Sequence, residues 1–379
     1  GYKSLEALTT GTGNTAVGYI SGQYNETGSQ NTYVGYASGL GASGQSHSTN
    51  TAVGYFTLKD VTTGGANTVI GAFAGDVVTT QDSLTLVGKS AGGAINHNDA
   101  NGTVAVGASA LEALTSGAGN VAVGYKAGLA LTSGDGNTAV GYESLYTDDL
   151  GFGTTAIGYR ACYYQNSDDS DEVTGNTAVG YAALHVNVDG AYNTAVGYKS
   201  LYNFEADADN HGDNTAVGNQ AGMFISTGTQ NTMIGNLAGL GITGTRLTGD
   251  GNTCVGANAG IELEGAAHSN TFVGKAAGNT TEAGVENTCI GLNTETSAEN
   301  STNQTVIGNG AVGQADNSVT LGNADVTDVY MAQDKGATVH CAQAVVTEGI
   351  NFPDDASTNP AGDVNTLDNY EEGEHTTAI

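Results

Sequence analysis

Histidine and cysteine are the side chains of this sequence best suited to metal binding or redox chemistry. The seven histidines are scattered, without a regular cysteine or carboxylate partner, and the four cysteines show no Cys-x-x-Cys spacing. Cys254 and Cys289 share one repeat position at which other copies carry apolar residues, so we expect them to fill a core. The sequence therefore favours neither a redox site nor a transition-metal site.

One acidic cluster has ligand types that suit calcium. Asp168, Asp169, Asp171 and Glu172 lie in a single insertion, and carboxylate oxygens are ligands that Ca²⁺ prefers. The cluster lacks the ordered spacing of an EF-hand loop, and the Gly- and Asp-rich nonapeptide of calcium-binding rolls is absent from the sequence. A weak calcium site and a merely solvated loop both remain open, and we expect no other cofactor.

The sequence predicts a protein without enzymatic activity. Solenoids that cleave glycosides need paired carboxylates in one groove, whereas the acids here fall in insertions that differ between repeats.

Nine basic and 39 acidic residues give a formal charge of −30, which repels phosphate backbones and anionic lipid. No apolar run approaches the length of a membrane span. We expect neither nucleic-acid binding nor membrane insertion.

These residues are positioned by a repeat that occupies most of the chain. A small or polar residue, any residue, then Val, Ile or Leu, and finally Gly recur from Gly1 to Gly322; eleven of the eighteen intervals are 17 residues, six are longer by one to five, and the last is 14. Such a period predicts stacked units. We expect an all-β, elongated parallel β-solenoid, a rod of roughly 85 Å at ~4.8 Å per strand.

Period-two alternation assigns the repeat residues to two faces of a strand. We predict that the nearly uniform aliphatic residue before each glycine forms an interior column, together with the Thr two positions earlier, and that the variable residue between them faces solvent or another chain. The inward Thr column argues against the ice-binding solenoids that it resembles. The predicted core column is Val17, Val34, Val53, Ile70, Val106, Val123, Val140, Ile157, Val179, Val196 and Val217.

Turn residues flank each predicted strand. Glycine permits the positive backbone angles of sharp corners, and the predicted turn glycines include Gly18, Gly35, Gly54, Gly71, Gly124 and Gly141. Asn begins most strands, where it tolerates turn geometry and stacked copies can form amide ladders. Between glycine and corner lies a second short stretch, which we predict to be a strand rather than a helical turn.

A tyrosine column follows the repeat glycines and has two interpretations. Its rings could bind glycans or pack against neighbouring chains, and the loss of tyrosine in later repeats favours packing. Association would also bury the leucines outside the predicted core. The residues considered for glycan or inter-chain contact are Tyr19, Tyr36, Tyr125, Tyr142, Tyr181 and Tyr198.

The motif Asn-Thr-Ala-Val-Gly-Tyr, as in residues 137–142, and the shorter final turn, residues 309–322, resemble the head repeats of trimeric autotransporter adhesins. The same repeat class occurs in bacteriophage tail fibres. The resemblance implies a left-handed β-roll that forms an intertwined or side-by-side homotrimer. It covers residues 1–323, which we assign to a β-solenoid shaft of about 17 residues per turn.

A second resemblance separates these two families. Residues 350–353, Ile-Asn-Phe-Pro, and residues 363–373 are similar to a segment near the C-terminal parts of phage tail fibre and tail-associated proteins. We assign residues 324–379 to a C-terminal transition segment of this kind. Because the sequence opens inside a repeat without Met, we expect a segment before residue 1. Whether a distal domain follows residue 379 stays open at this point.

Together the resemblances imply a structural fibre of a phage tail, located on the virion and extracellular, that takes part in attachment to the host surface. The expected partners are two further copies of the chain, other virion tail proteins, and a host glycan or protein receptor. The head of a bacterial trimeric autotransporter adhesin is the alternative. A polysaccharide-degrading tailspike is the third hypothesis, which the absence of a recurring carboxylate pair disfavours.

Overall fold

The computed structural model describes residues 1–167, 173–206 and 211–330, and these residues form a parallel β-solenoid of about eighteen turns. No α-helix occurs among them, although Asn98–Ala100 form one 3₁₀ turn. The strands are β1 Thr15–Val17, β2 Thr32–Val34, β3 Thr51–Val53, β4 Thr68–Ile70, β5 Thr85–Val87, β6 Val104–Val106, β7 Val121–Val123, β8 Thr138–Val140, β9 Thr155–Ile157, β10 Thr177–Val179, β11 Thr194–Val196, β12 Thr215–Val217, β13 Thr232–Ile234, β14 Thr253–Val255, β15 Thr271–Val273, β16 Thr288–Ile290, β17 Gln304–Ile307 and β18 Ser318–Leu321.

Each strand pairs in parallel with the next strand of the sequence, and equivalent residues lie directly above one another. Thr138 pairs with Thr155 across a 17-residue turn, and Thr155 pairs with Thr177 across a 22-residue turn. Insertions therefore leave the strand register unchanged. The chain divides into two compact units, residues 1–327, which contain the stack, and residues 328–379, of which 328–330 are described.

The interior column is the middle residue of each strand, so the predicted assignment of faces is wrong. Period-two geometry separates two faces without saying which one is inward. A turn of about 17 residues encloses little space, which suits the Ala found in half of the strands. The buried middle residues are Tyr33, Ala52, Val69, Leu86, Ala105, Ala122, Ala139, Ala156, Ala178, Ala195, Ala216, Met233, Cys254, Phe272, Cys289 and Val306.

The aliphatic residues before the glycines point outward and are half-buried or exposed in the single chain. Val17 is 57% exposed and Ile70 39%, and the Thr column lies on this same outward face. The predicted core residues that the structure instead places outward are Val17, Val34, Val53, Ile70, Val106, Val123, Val140, Ile157, Val179, Val196 and Val217.

The glycine that ends each strand sits where no other residue fits. Gly18, Gly35 and Gly54 have φ of 142°, 137° and 147°, a region that L side chains rarely adopt. A Cβ on Gly18 would collide with the carbonyl group of Gly35 in the next turn. The same geometry holds at Gly71, Gly124 and Gly141, so the predicted turn role of these glycines is confirmed.

The second side of each turn is a run of tight turns and not the predicted strand. Residues two and four positions after the glycine have positive φ, as at Lys126 (53°) and Leu145 (49°). Their N–H groups bond to opposite neighbours: Lys126 N–H donates to Ala108 O in the previous turn, and Leu145 N–H to Ala161 O in the next. Alternating backbone geometry therefore holds both neighbouring turns without extended strands.

A buried Asn before most strands fastens each turn to the following one. Asn137 Oδ1 accepts a hydrogen bond from the Thr154 backbone N–H at 2.8 Å, and its Nδ2 donates to Gly151 O at 2.7 Å. The amide thus satisfies buried backbone groups of the next turn. Some pairs also join side chain to side chain, such as Asn252 to Asn231 at 3.0 Å. The predicted ladder exists, but most of its bonds run to the backbone.

Large and small residues alternate within the core. Tyr33 lies against Gly22 and Gly39, and Leu86 lies against Gly75 and Gly92. A Cβ added to Gly92 would approach Leu86 Cδ2 to 2.8 Å. Where the middle residue is Ala, as at Ala105, the position equivalent to Gly92 is often Leu, here Leu111, at a φ of 48°. The two positions therefore share one volume.

This sharing predicts a compensating pair of substitutions. Leu86→Ala leaves a cavity and should cost about 2–5 kcal/mol, and Gly92→Leu should overpack the core. The double variant recreates the Ala105 and Leu111 combination of the next turn, so we expect it to melt at a higher temperature than Gly92→Leu alone. Thermal unfolding of the three variants checks this; a double variant that melts below Gly92→Leu would contradict the shared volume.

Candidate functional site

The outward face of the strands carries no charged residue at either outward position of any of the eighteen strands. Each turn presents Thr or Val, then Val, Ile or Leu, and the in-register pairing aligns these side chains into two columns. This strip, the outward strand face, is half-buried or exposed in the single chain, although the chain carries a formal charge of −30. Contiguous apolar surface of this extent is typical of a contact site.

The predicted tyrosine column forms two ladders beside the outward strand face. Adjacent rings lie 5.0–5.3 Å apart between centroids, with interplanar angles of 28° or less. The first ladder is Tyr2, Tyr19, Tyr36 and Tyr55, and the second is Tyr125, Tyr142, Tyr159, Tyr181 and Tyr198. Because each ring stacks on its neighbours, the ladders leave mainly ring edges and hydroxyls to solvent, and not the open faces on which the glycan interpretation relied.

A second aromatic column, which was not predicted from the sequence, lies on the same stretch of the solenoid. Tyr146, Tyr163, His185 and Tyr202 stack with centroids 4.9, 5.3 and 5.0 Å apart. Each is the fifth residue after a repeat glycine, so its spacing was available in the sequence. The equivalent repeat position in other turns holds unrelated residues, so the pattern is hard to recognise in the sequence.

Three cations lie between these two columns, at the second residue after the glycine. Lys126 Nζ is 5.3 Å from the Tyr125 ring centroid and 5.6 Å from that of Tyr146. Arg160 contacts Tyr159 and Tyr163 in the same way at 5.3 and 4.9 Å. We call the set Lys126, Arg160 and Lys199, with the tyrosines that flank them, the cationic comb.

Lys199 completes the comb with distances of 5.6 Å to Tyr198 and 4.9 Å to Tyr202. Such cation–π contacts hold a charge above aromatic surface. The phenols of Tyr125 and Tyr146 also raise the pKa of Lys126 above its ordinary value. The comb is thus positively charged at neutral pH, on a strongly acidic protein.

An open recess adjoins the N-terminal end of the second aromatic column, next to Tyr146. It has a volume of about 440 Å³ and is lined by Glu112, Ala113, Leu129, Ala130, Tyr146 and Thr147. Leu129 occupies the column position one turn before Tyr146, so only one face of the Tyr146 ring is stacked on another tyrosine.

The calcium candidates Asp168, Asp169, Asp171 and Glu172 lie outside the described residues. Next to this insertion, burial raises the pKa of Asp148, which accepts hydrogen bonds from the Gly151 N–H at 3.0 Å and from Gln165 Nε2 at 2.9 Å. The oxygens of Asp148 are therefore used in hydrogen bonds within the corner of the turn. Within residues 1–167, 173–206 and 211–330, no group of three or more His, Cys, Asp or Glu is arranged to hold a metal, and no helix is long and apolar enough to cross a membrane.

The described cysteines fill the core. Cys162, Cys254 and Cys289 are buried and unpaired, and burial raises the pKa of each thiol. The packing role predicted for Cys254 and Cys289 is therefore confirmed, whereas Cys341 lies outside the described residues.

One histidine is enclosed in the core. His47 is 1% exposed, its Nδ1 lies 2.7 Å from the Tyr33 hydroxyl, and its Nε2 is buried without a hydrogen-bond partner among the described residues. Burial lowers the pKa of His47 to about 4. The pair fills a corner of the turn in which Tyr33 replaces the usual Ala, so its role is structural.

No protein-family model matches this chain, and no curated protein is significantly similar to it in sequence. The geometry of the outward strand face and of the cationic comb is therefore the basis for assigning a function.

His47 should make the stability of its turn depend on pH. The folded pKa of about 4 lies below the ordinary value of 6.5, so the unfolded chain binds a proton more readily. The contribution is complete above pH 6.5 and is lost as pH falls towards 4, by about 3 kcal/mol. We expect urea unfolding of His47→Gln to lose less stability between pH 7 and 4 than the natural chain does.

The partly exposed His268, whose Nδ1 faces the Ser269 hydroxyl at 3.3 Å, offers the matched control. His268→Gln should keep the pH dependence of the natural chain. Equal pH dependence in the His47→Gln and His268→Gln variants would show that His47 does not titrate with folding.

Proposed function

We propose that this chain is a structural fibre protein that associates side by side with two identical copies through the outward strand face. The observation that carries the proposal is the absence of charge from that face along all eighteen strands, in a chain with 39 acidic residues. Chains of like charge repel, and an uncharged apolar strip is the surface on which copies can meet without burying carboxylates.

The uniformity of the strip supports a second copy as its partner. The outward columns hold almost entirely Thr, Val and Ile, aligned in register, so two identical faces offer each other flat surfaces of constant shape. Isologous or cyclic packing of one patch against its copy is the usual way in which homo-oligomers form. The trimeric state, and the left-handed form of the coil, come from the resemblance to adhesin head repeats and belong to this proposal.

We further propose that the fibre belongs to a phage tail, where it projects from the virion and takes part in attachment to the host surface, with no enzymatic activity of its own. The resemblance of residues 350–353 and 363–373 to tail fibre segments supports the virion over the head of a bacterial adhesin. A rigid stack separates the particle from the surface that it meets, and several weak contacts on three chains add up through avidity.

A second candidate function follows from the outward position of the Thr column. The sequence predicted an inward Thr column, which argued against ice binding, but the column lies on the outward face. A regular array of hydroxyls and methyl groups on a flat face is compatible with ice binding if the chain is a monomer. Thermal hysteresis, the gap between freezing and melting points, distinguishes the two, because an assembled fibre buries the array.

The fibre proposal predicts a mass in solution of three times 37.9 kDa. Val217 and Ile290 are 36% and 40% exposed on the outward strand face. We expect Val217→Lys/Ile290→Lys to yield monomers, because the interface would have to bury two ammonium groups on each chain. Sedimentation equilibrium measures the mass, and circular dichroism checks that the solenoid is retained.

Thr10→Lys/Ala283→Lys is the control, since both of these residues lie at exposed corners and the variant has the same net charge. It should keep the trimeric mass. A monomeric natural chain, or equal dissociation of the two double variants, would exclude the outward strand face as the site of association.

A further inference from the structure

We propose that the cationic comb binds an acidic polysaccharide that carries one carboxylate on every second sugar, laid along the solenoid axis. The proposal deepens the attachment function proposed above and rests on it, because it names the surface chemistry that the fibre recognises. It is carried by the placement of Lys126, Arg160 and Lys199 between two aromatic columns.

The cations are concentrated and regularly spaced. The chain has nine Lys and Arg, and three of them fall at one repeat position within five consecutive turns, on the first, third and fifth. With roughly 4.8 Å between turns, successive cations are roughly 10 Å apart along the axis. A linear polymer with a charge on alternate sugars presents carboxylates at a comparable interval, so one polysaccharide molecule can reach all three positions.

Two of the three charges have no carboxylate partner within residues 1–167, 173–206 and 211–330. Arg160 is paired with Glu143 at 2.8 Å, whereas no described carboxylate lies within ion-pairing distance of Lys126 or Lys199. Both ammonium groups are instead held by tyrosine rings, in half-exposed side chains. They are therefore positioned in advance and free to accept an anion, which lowers the entropy that binding costs.

The tyrosines supply the neutral part of the site. Stacking leaves ring edges and hydroxyls facing solvent, and hydroxyls donate and accept hydrogen bonds as sugars do. At the N-terminal end, the recess lined by Leu129, Ala130 and Tyr146 adds apolar surface, against which the C–H face of a sugar can pack. Charge, hydroxyl and apolar surface thus lie together on one flank of the rod.

A second copy of this chain fits the comb less well than a polysaccharide does. Lys and Glu are depleted from protein interfaces because their desolvation is costly, and the comb would bury Lys126, Glu143 and Lys199 together. The uncharged outward strand face has no such cost. The observations therefore favour solvent exposure of the comb in the assembled fibre.

The experiment measures binding of the full chain to immobilised hyaluronan, which has one carboxylate per disaccharide, and to the same polymer with its carboxyls reduced to alcohols. We expect retention by hyaluronan, weaker at high salt, and little retention by the reduced polymer. Lys126→Gln/Lys199→Gln should weaken binding roughly five- to thirtyfold. Gln is native to this repeat position, at Gln220 with a φ of 54°.

Lys89→Gln/Lys275→Gln is the matched control, because it removes the same charge from exposed lysines outside the comb. It should bind as the natural chain does. Equal weakening in both double variants, equal retention by the reduced polymer, or no retention by hyaluronan would each overturn the proposal. A change of mass in Lys126→Gln/Lys199→Gln would assign the comb to contact between copies and would overturn it as well.

The outcome is separable from that of the fibre proposal. A trimer that does not bind hyaluronan would support the fibre proposal and exclude the comb as a binding surface. A monomer that binds hyaluronan through the comb would support the binding surface and exclude assembly through the outward strand face.

Discussion

The close contact between consecutive turns at the glycine after each strand is the constraint on which the rest of the structure depends. The backbone there takes a φ near 140°, and the next glycine carbonyl occupies the space of a Cβ. Any larger residue would push two turns apart, break the parallel hydrogen bonds on both sides and misalign the Asn amides. Because this contact recurs in nearly every turn up to Gly291, equivalent side chains fall into straight columns, and the columns rather than single residues become the functional units of the surface.

Much of the fold follows from the sequence because its cause is local and repeated. The 17-residue period, the glycine corners and the Asn contacts need only backbone geometry, and all three are present in the structure. The direction in which the strand faces point depends instead on how much volume a turn encloses. Two repeat positions together fill that volume, as Leu86 does with Gly92 and Ala105 with Leu111. The uniform column of valines carries no information about this volume, so it could not indicate which face is inward.

Because the faces are reversed, the uniformity of the valine column along the chain reflects an outward surface and not a core. Interior residues vary from Ala to Tyr, because each turn adjusts a neighbouring Gly or Leu to fit. The outward Thr and Val barely vary between turns, although exposed positions alone would tolerate variation. The cationic comb was equally hard to foresee, since it requires three columns at offsets of one, two and five residues from the glycine to meet in space. Only the turn geometry at Lys126 brings these offsets together.

Insertions of one to five residues enter the corner before the strand without shifting a single pair in the sheet. The scaffold is thereby uncoupled from the loops that it displays. A lineage can lengthen or rewrite such a corner while the stack, its axis and its flanks keep their geometry, so recognition of a changing surface can evolve at these corners at little cost to folding.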